Sequence, residues 1–258
     1  MKQFFLALAL LLSSITFSQS FDFTPKGKKG EIHEYIKFTV CYSEEHEQAY
    51  WVAYILTQTE LELPKRDRIS RFIEDKNIST GSATHDDYTN TGYDRGHLSR
   101  AEFNKVSAEA YRECYRMSNI SPQIGVNFNQ TGGDWYNLEE LEKDIAFGLD
   151  EIFSVSGPIF EDNLEVVGKN NFVTVPGYFY KAILSPDKKH AIAFILRHDN
   201  IDLNSIWSAA VSIDELEGRT GIDFFAKLDN KVEKVIESEL DLDFWKDIAK
   251  KGKDEKAN

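Results

Sequence analysis

Residues 93–98 read Tyr93-Asp94-Arg95-Gly96-His97-Leu98, which sets a carboxylate, a guanidinium and an imidazole within four positions. The glycine beside the histidine lets another group approach the backbone closely. Histidine is the side chain best suited to moving protons near neutral pH. The permanently charged guanidinium suits a phosphate. Alone, these residues would also fit a solvated surface turn. Three blocks downstream decide between the two.

Further along, the chain runs Asn119-Ile120-Ser121-Pro122-Gln123, then Asn127-Phe128-Asn129-Gln130, then Trp135-Tyr136-Asn137-Leu138-Glu139. With the first block, these resemble the DNA/RNA non-specific endonucleases, the ββα-metal group of Serratia-type and endonuclease G-like nucleases. Their pattern runs Asp-Arg-Gly-His, Asn-x-x-Pro-Gln, Leu-Asn-Gln and Trp-x-x-Leu-Glu in this order. Weaker echoes are Tyr50–Tyr54, Ser156–Phe160, Val175-Pro176 with Tyr180-Lys181, and Thr220–Phe225, so that the resemblance spans roughly residues 40–228.

The resemblance implies a ββα-metal catalytic motif that hydrolyses phosphodiester bonds of DNA and RNA, leaving 5′-phosphate ends. Mg²⁺ is the implied metal, with Mn²⁺ as its substitute. His97 is then the general base, since a neutral imidazole can take a proton from the attacking water. A histidine held by its neighbours in a turn is the alternative, and the four-block pattern argues against it. Asn129 is the metal ligand by resemblance, because it precedes Gln130; a single amide oxygen suffices for Mg²⁺, which keeps several waters. Asn127 is its rival.

Glu139 is implied to bind and orient water on the metal and so joins the catalytic set. One departure bears on it: Gln130-Thr131-Gly132-Gly133-Asp134-Trp135 is longer than the family's spacing, and its glycine pair is expected to interrupt the helix there. Arg95 is expected at the phosphate or the transition state. A second, upstream arginine is implied near Phe72-Ile73-Glu74-Asp75, and Arg68 and Arg71 both compete for it. Asp94 reads as structural, orienting Arg95 or its loop. Asn119 is expected to help bind substrate, with Gln123 shaping the site. His33, His46, His85, His190 and His198 have no paired spacing and read as ordinary residues.

The 258 residues are 41% hydrophobic and 28% charged, which fits one or at most two globular domains. Lys2, the apolar run Phe4–Leu12 and the small residues after it form a secretory signal peptide over residues 1–20, with cleavage after Ser18 or Ser20. A secreted or periplasmic protein is expected. The apolar run is too short to span a bilayer. In an exported chain Cys41 and Cys114 are expected to pair. The formal charge of −13 argues against tight non-specific gripping of DNA. A local basic patch can still focus potential against the net charge.

Alternating and periodic apolar residues predict strands over 35–42, 50–57, 152–156, 172–175, 178–184 and 191–196. They predict helices over 108–117, 134–149 (capped by Asp134) and 212–219. Residues 63–92 form a long polar loop. The fold class is α+β, a mostly antiparallel central sheet flanked by helices. The nuclease domain covers 21–228. Residues 229–258 add a charged amphipathic helical extension whose last eight residues are expected to be disordered.

The reading is therefore a secreted Mg²⁺-dependent non-specific endonuclease with DNA and RNA as partners; a homodimer and an inhibitor protein are partners the sequence leaves open. Its rivals are a phosphodiesterase of the same superfamily acting on a smaller substrate, and a non-catalytic binding module on a nuclease fold.

Overall fold

The computed structural model describes residues 22–162, 164–199 and 203–257, so the expected signal peptide lies outside the described residues. In chain order the strands are β1 (Glu31–Glu34), β2 (Phe38–Ser43), β3 (Gln48–Thr57), β4 (Asp94–His97), β5 (Ile120–Gln123), β6 (Glu151–Ile159), β7 (Val166–Val167), β8 (Val173–Thr174), β9 (Tyr178–Leu184), β10 (Ala191–Arg197) and β11 (Ala210–Val211). The helices are α1 (Gln58–Leu61), α2 (Ala108–Glu113), α3 (Asp134–Leu149), α4 (Ile213–Thr220), α5 (Asn230–Ser238) and α6 (Leu242–Lys256).

Seven strands form one sheet in the order β1-β2-β3-β6-β9-β10-β11, with every neighbouring pair antiparallel. The α+β expectation holds. Side chains alternate across a strand, and here both faces are covered. Along β3, Trp51, Ala53 and Ile55 join one apolar core, whereas Val52, Tyr54 and Leu56 join the other. β10 repeats the division: Ala191, Ala193 and Ile195 pack on one side, and Ile192, Phe194 and Leu196 on the other. Helices α4 and α5 cover the first side through Ile213, Leu216 and Ile236. The second side carries α3, α6 and the two-stranded β4–β5 ribbon.

This division overturns the expected disulfide. Cys41 belongs to the α4 side and Cys114 to the α3 side, and both are buried free thiols. Burial raises both thiol pKa values, that of Cys41 to about 11, so neither is a reactive thiolate at neutral pH.

Two details at helix ends also differ from expectation. Gly133, rather than Asp134, occupies the position before α3, and the Asp134 carboxylate accepts the Leu203 N–H at 3.2 Å. Of the last eight residues, expected to be disordered, those through Lys256 belong to α6, which lies against α3. Glycines permit this approach: a Cβ on Gly252 would stand 1.8 Å from the Asp144 carbonyl oxygen, and one on Gly148 would stand 2.3 Å from that of Ile248. Lys251 Nζ donates to the Gly148 carbonyl at 2.9 Å, and Lys256 Nζ meets Asp144 at 2.7 Å. Trp245, fully buried, anchors the same helix.

Candidate active site

The Asp-Arg-Gly-His motif forms β4, which pairs with β5 so that Asp94 faces Gln123, Arg95 faces Pro122, Gly96 faces Ser121 and His97 faces Ile120. Gly96 is required by close approach, since a Cβ there would stand 1.9 Å from Gln123 Oε1. Trp135, on α3, donates its indole N–H to the His97 carbonyl at 3.2 Å. Two strands and a helix are thereby tied at the histidine. The long glycine segment does not interrupt the helix. Gly132, at φ +92°, turns the chain before α3, and Gly133 packs against Phe128, where a Cβ would come within 2.4 Å of backbone. The helix that carries Glu139 is continuous from Asp134 to Leu149.

A cleft of about 850 Å³ opens over this unit and is lined by Asp94, Arg95, His97, Arg100, Asn129 and Glu139, with Arg68 and Lys65 on its rim. His97 Nε2 is buried without a hydrogen-bond partner. Its ring lies 5.3 Å from Phe72 and 5.0 Å from Tyr115. Burial, reinforced by the charges of Arg68 and Arg100, pushes the imidazole pKa down to about 3. His97 is therefore neutral throughout the physiological range. An acidic limb from this residue belongs far below neutral pH.

Asn129 Nδ2 donates to Asp94 Oδ2 at 3.1 Å, and Gln130 Nε2 reaches the same oxygen at 3.2 Å. The carboxylate fixes which end of the amide points where, leaving the Asn129 carbonyl as the end available to a cation. Asp94 is thus a positioning group for Asn129. The expected alternative, that it orients Arg95, is replaced by His85 and Thr89: Arg95 Nη2 donates to the His85 carbonyl at 2.6 Å and to Thr89 Oγ1 at 2.9 Å. Asn127 adopts φ +66°, the left-handed conformation that asparagine tolerates better than most residues.

Glu139 is 6% exposed, and burial pushes its carboxyl up to about 7 against the pull of Arg100 and Lys181. Arg100 Nη1 stands 2.7 Å from Glu140 and 3.6 Å from Glu139, with Nη2 3.3 Å from Glu102. Burial opposes the Arg100 charge, but these three carboxylates outweigh it and raise the guanidinium pKa further. Asn129 and Glu139 offer hard oxygen donors, one neutral and one anionic. That set fits Mg²⁺, which takes few protein ligands and retains water.

Of the competing arginines, Arg68 lines the cleft, whereas Arg71 lies outside it, 3.6 Å from Asp86. Asn119 differs from expectation. It is fully buried, its Oδ1 accepts the Ser99 N–H at 2.8 Å, and its Nδ2 donates to the Ser99 and Cys114 carbonyls, both at 2.9 Å. It clamps the backbone behind His97 and does not line the cleft.

Two residues near the site, Arg100 and His198, carry no signal in the sequence, and a third, Lys181, only that of the weak Tyr180-Lys181 echo. Arg100 stands three positions after His97, where only the fold shows that it faces α3. Lys181, in β9, is fully buried, with Nζ 3.0 Å from Glu142, 2.8 Å from Tyr54 Oη and 2.8 Å from Ser156 Oγ, and 4.6 Å over the Trp135 ring. His198 accepts the Ile124 N–H at Nε2 (2.8 Å) and faces the Pro176 carbonyl through Nδ1 (2.8 Å), which fixes the Nδ1–H tautomer. It holds the start of the loop that carries Asn129. No residue-spacing rule flags a single histidine of this kind.

A family model described as DNA/RNA non-specific endonuclease matches residues 18–231. A nuclease of Syncephalastrum racemosum is 29% identical over 236 residues, covering 81% of this chain and 73% of that protein. The mitochondrial nuclease EXOG of Xenopus laevis is 32% identical over 216 residues, covering 77% of this chain but only 59% of its own length. A chain of the crystal structure of the EndoG/EndoGI complex superposes with a TM-score of 0.69 at 26% identity, covering 80% of this chain and 90% of that one. The ribbon, the helix, the histidine and these likenesses agree: the chain belongs to the DNA/RNA non-specific endonuclease family and is a nuclease, a hydrolase by reaction class.

Proposed function

We propose that this protein is a secreted, Mg²⁺-dependent endonuclease that cuts DNA and RNA, with His97 as general base and Asn129 as the metal ligand. The observation that carries the assignment is the pairing of an imidazole held neutral by burial with an amide carbonyl aimed by Asp94, both lining one cleft. With Nε2 shut away from solvent, Nδ1 is the nitrogen that a water in the cleft can reach. It takes the water proton as the oxygen attacks phosphorus. The bound metal would neutralise charge on the phosphoryl oxygens and the leaving 3′ oxygen. Asn129 would hold it directly and Glu139 through water. Arg95 and Arg68 would bind the flanking phosphates.

Substrate attraction is a local matter. The lining includes Lys65, Arg66, Arg68, Arg95, Arg100 and Lys105, against Asp94, Glu102 and Glu139, although the whole chain carries −13. Some of these cations are internally committed: Lys105 Nζ serves the Leu61 and Leu63 carbonyls, and Arg100 serves its carboxylates. Lys65, Arg66 and Arg68 remain the exposed ones on the rim. Export rests on the N-terminal sequence pattern. Among the described residues no helix is long and apolar enough to cross a membrane. The EndoG/EndoGI structure motivates a search for a protein inhibitor here as well.

Plasmid DNA and a structured RNA, incubated with Mg²⁺ and with EDTA, test the reading. Internal cleavage of both that EDTA abolishes is expected. Cleavage of small phosphodiesters alone would favour the rival enzyme, and no cleavage under any metal would favour a binding module.

A further inference from the structure

We propose that Asp214, Glu217 and Glu237 form a second cation site, for a hard divalent ion of the calcium class, between α4 and α5 and across the sheet from the cleft. One carboxylate oxygen from each of the three lies within 4.8 Å of the others. Among the described residues, no other trio of histidine, cysteine or acidic donors converges this closely. Carboxylates at that separation ordinarily repel, and a cluster of them needs compensation.

A second observation points to a ligand. Glu237 is 6% exposed, and its Oε1 is buried with no hydrogen-bond partner, although the side chain is turned toward the other two carboxylates. A buried, unsatisfied carboxylate oxygen is costly unless something pairs with it. Glu217 uses its Oε1 to accept the Phe224 N–H at 2.8 Å, which fixes that side chain beside the opening. Asp214 is exposed and leaves the site open to solvent. Burial, followed by the charges of Glu217, Glu233, Asp214 and Asp223, pushes Glu237 up to about 9. Burial and acidic neighbours push Glu217 to about 7.

All-oxygen donors of anionic character, one of them open to water, suit Ca²⁺, whose coordination is large and flexible. Mg²⁺ demands tighter octahedral geometry and is the weaker fit. The ion would staple α5 to α4, and it would act on stability while leaving the chemistry to the cleft. The site is independent of the proposed nuclease mechanism.

The test uses the full chain carrying Asn129→Ala, so that the cleft's proposed ligand is gone, after removal of metals with EDTA. Calorimetric titration and thermal unfolding with CaCl₂ are expected to show one bound ion and a rise in Tm of several degrees at saturation. Asp214→Asn and Glu237→Gln, each added to that chain, are expected to abolish both responses. In an otherwise unaltered chain, Glu237→Gln is expected to keep nuclease activity in Mg²⁺. The exposed Asp214→Asn variant guards against misfolding of the buried one. The proposal is overturned if the parent shows neither heat nor a Tm shift up to millimolar CaCl₂, or if the shift survives in both variants. It is equally overturned if Glu237→Gln raises Tm in a parent that ignores Ca²⁺, since the carboxyl groups would then merely share protons.

Discussion

The two faces of the central sheet are built from the same strands by the same alternation, yet they bury different chemistry. On the α4 side, β3, β9 and β10 present Trp51, Ala53, Ala182, Leu184, Ala191 and Ala193 to Ile213, Leu216 and Phe224, a core of aromatic rings over small residues. On the α3 side, the same strands present Tyr54 and Lys181 to Glu142. Glu139, Arg100 and His97 lie in the same layer. The first face contributes stability through area removed from water. The second gives up part of that gain to hold charges where burial can tune them. Burial in this layer keeps a histidine neutral and raises a carboxyl toward 7 beside the cleft.

The sharpest way to break this comparison is to remove chemistry without touching packing. His97→Ala is expected to lose on the order of 10²–10⁴ in rate while binding Mg²⁺ and DNA nearly normally. Asn129→Ala should instead recover activity as Mg²⁺ is raised. Single-turnover rates across a Mg²⁺ titration read both, and equal rescue of the two variants would refute the division of roles.

Stability separates the faces next. Lys181→Met leaves Glu142 buried without its cation, and is expected to cost about 3–5 kcal/mol. It should also lower kcat, because Trp135 and Glu139 share that layer. Leu216→Ala, on the opposite face, is expected to cost about 2–5 kcal/mol with kcat unchanged once the protein is folded. Urea unfolding alongside steady-state kinetics checks the pair. A kcat loss in Leu216→Ala would show that the faces are not separable.

The rim effects are smaller. Arg68→Ala should raise KM for long DNA about fivefold or less, the scale of one exposed ion pair, and should weaken the salt dependence. Arg71→Ala should do neither, because it lies outside the cleft. The opposite ranking would move the substrate groove.

The last effect vanishes at neutral pH. His97 has its pKa lowered from 6.5 to about 3 in the folded chain, so the unfolded chain takes up its proton first on acidification. Its contribution to stability is whole above about pH 6.5 and is lost as pH falls toward 3. Replacing His97 with asparagine should flatten the fall of stability across that window. Urea midpoints measured at successive pH values would show it, and an unchanged slope would mean that the ring is more hydrated than its burial implies.

By itself the sequence determined the fold class, the family and the identity of His97, Asn129 and Glu139 as residues brought to one cleft, because ordered motif blocks and strand and helix periodicity are local properties of the chain. It also placed α3 correctly at Asp134–Leu149 from the spacing of Trp135, Leu138, Leu141 and Ile145. Only the tertiary structure decided that Asn119 is a backbone clamp, that Arg68 rather than Arg71 lines the cleft, and that Cys41 and Cys114 lie on opposite sides of the sheet. The same holds for Lys181 and His198, and for the pairing of Arg100 with Glu139 and Glu140, which join groups distant in sequence, and for α6, whose approach to α3 depends on Gly148 and Gly252. The reason is common to all of these. Which face a side chain occupies is set by local alternation, but what it meets there depends on which segments the fold brings across from it, and that is settled only when the sheet and its two layers assemble.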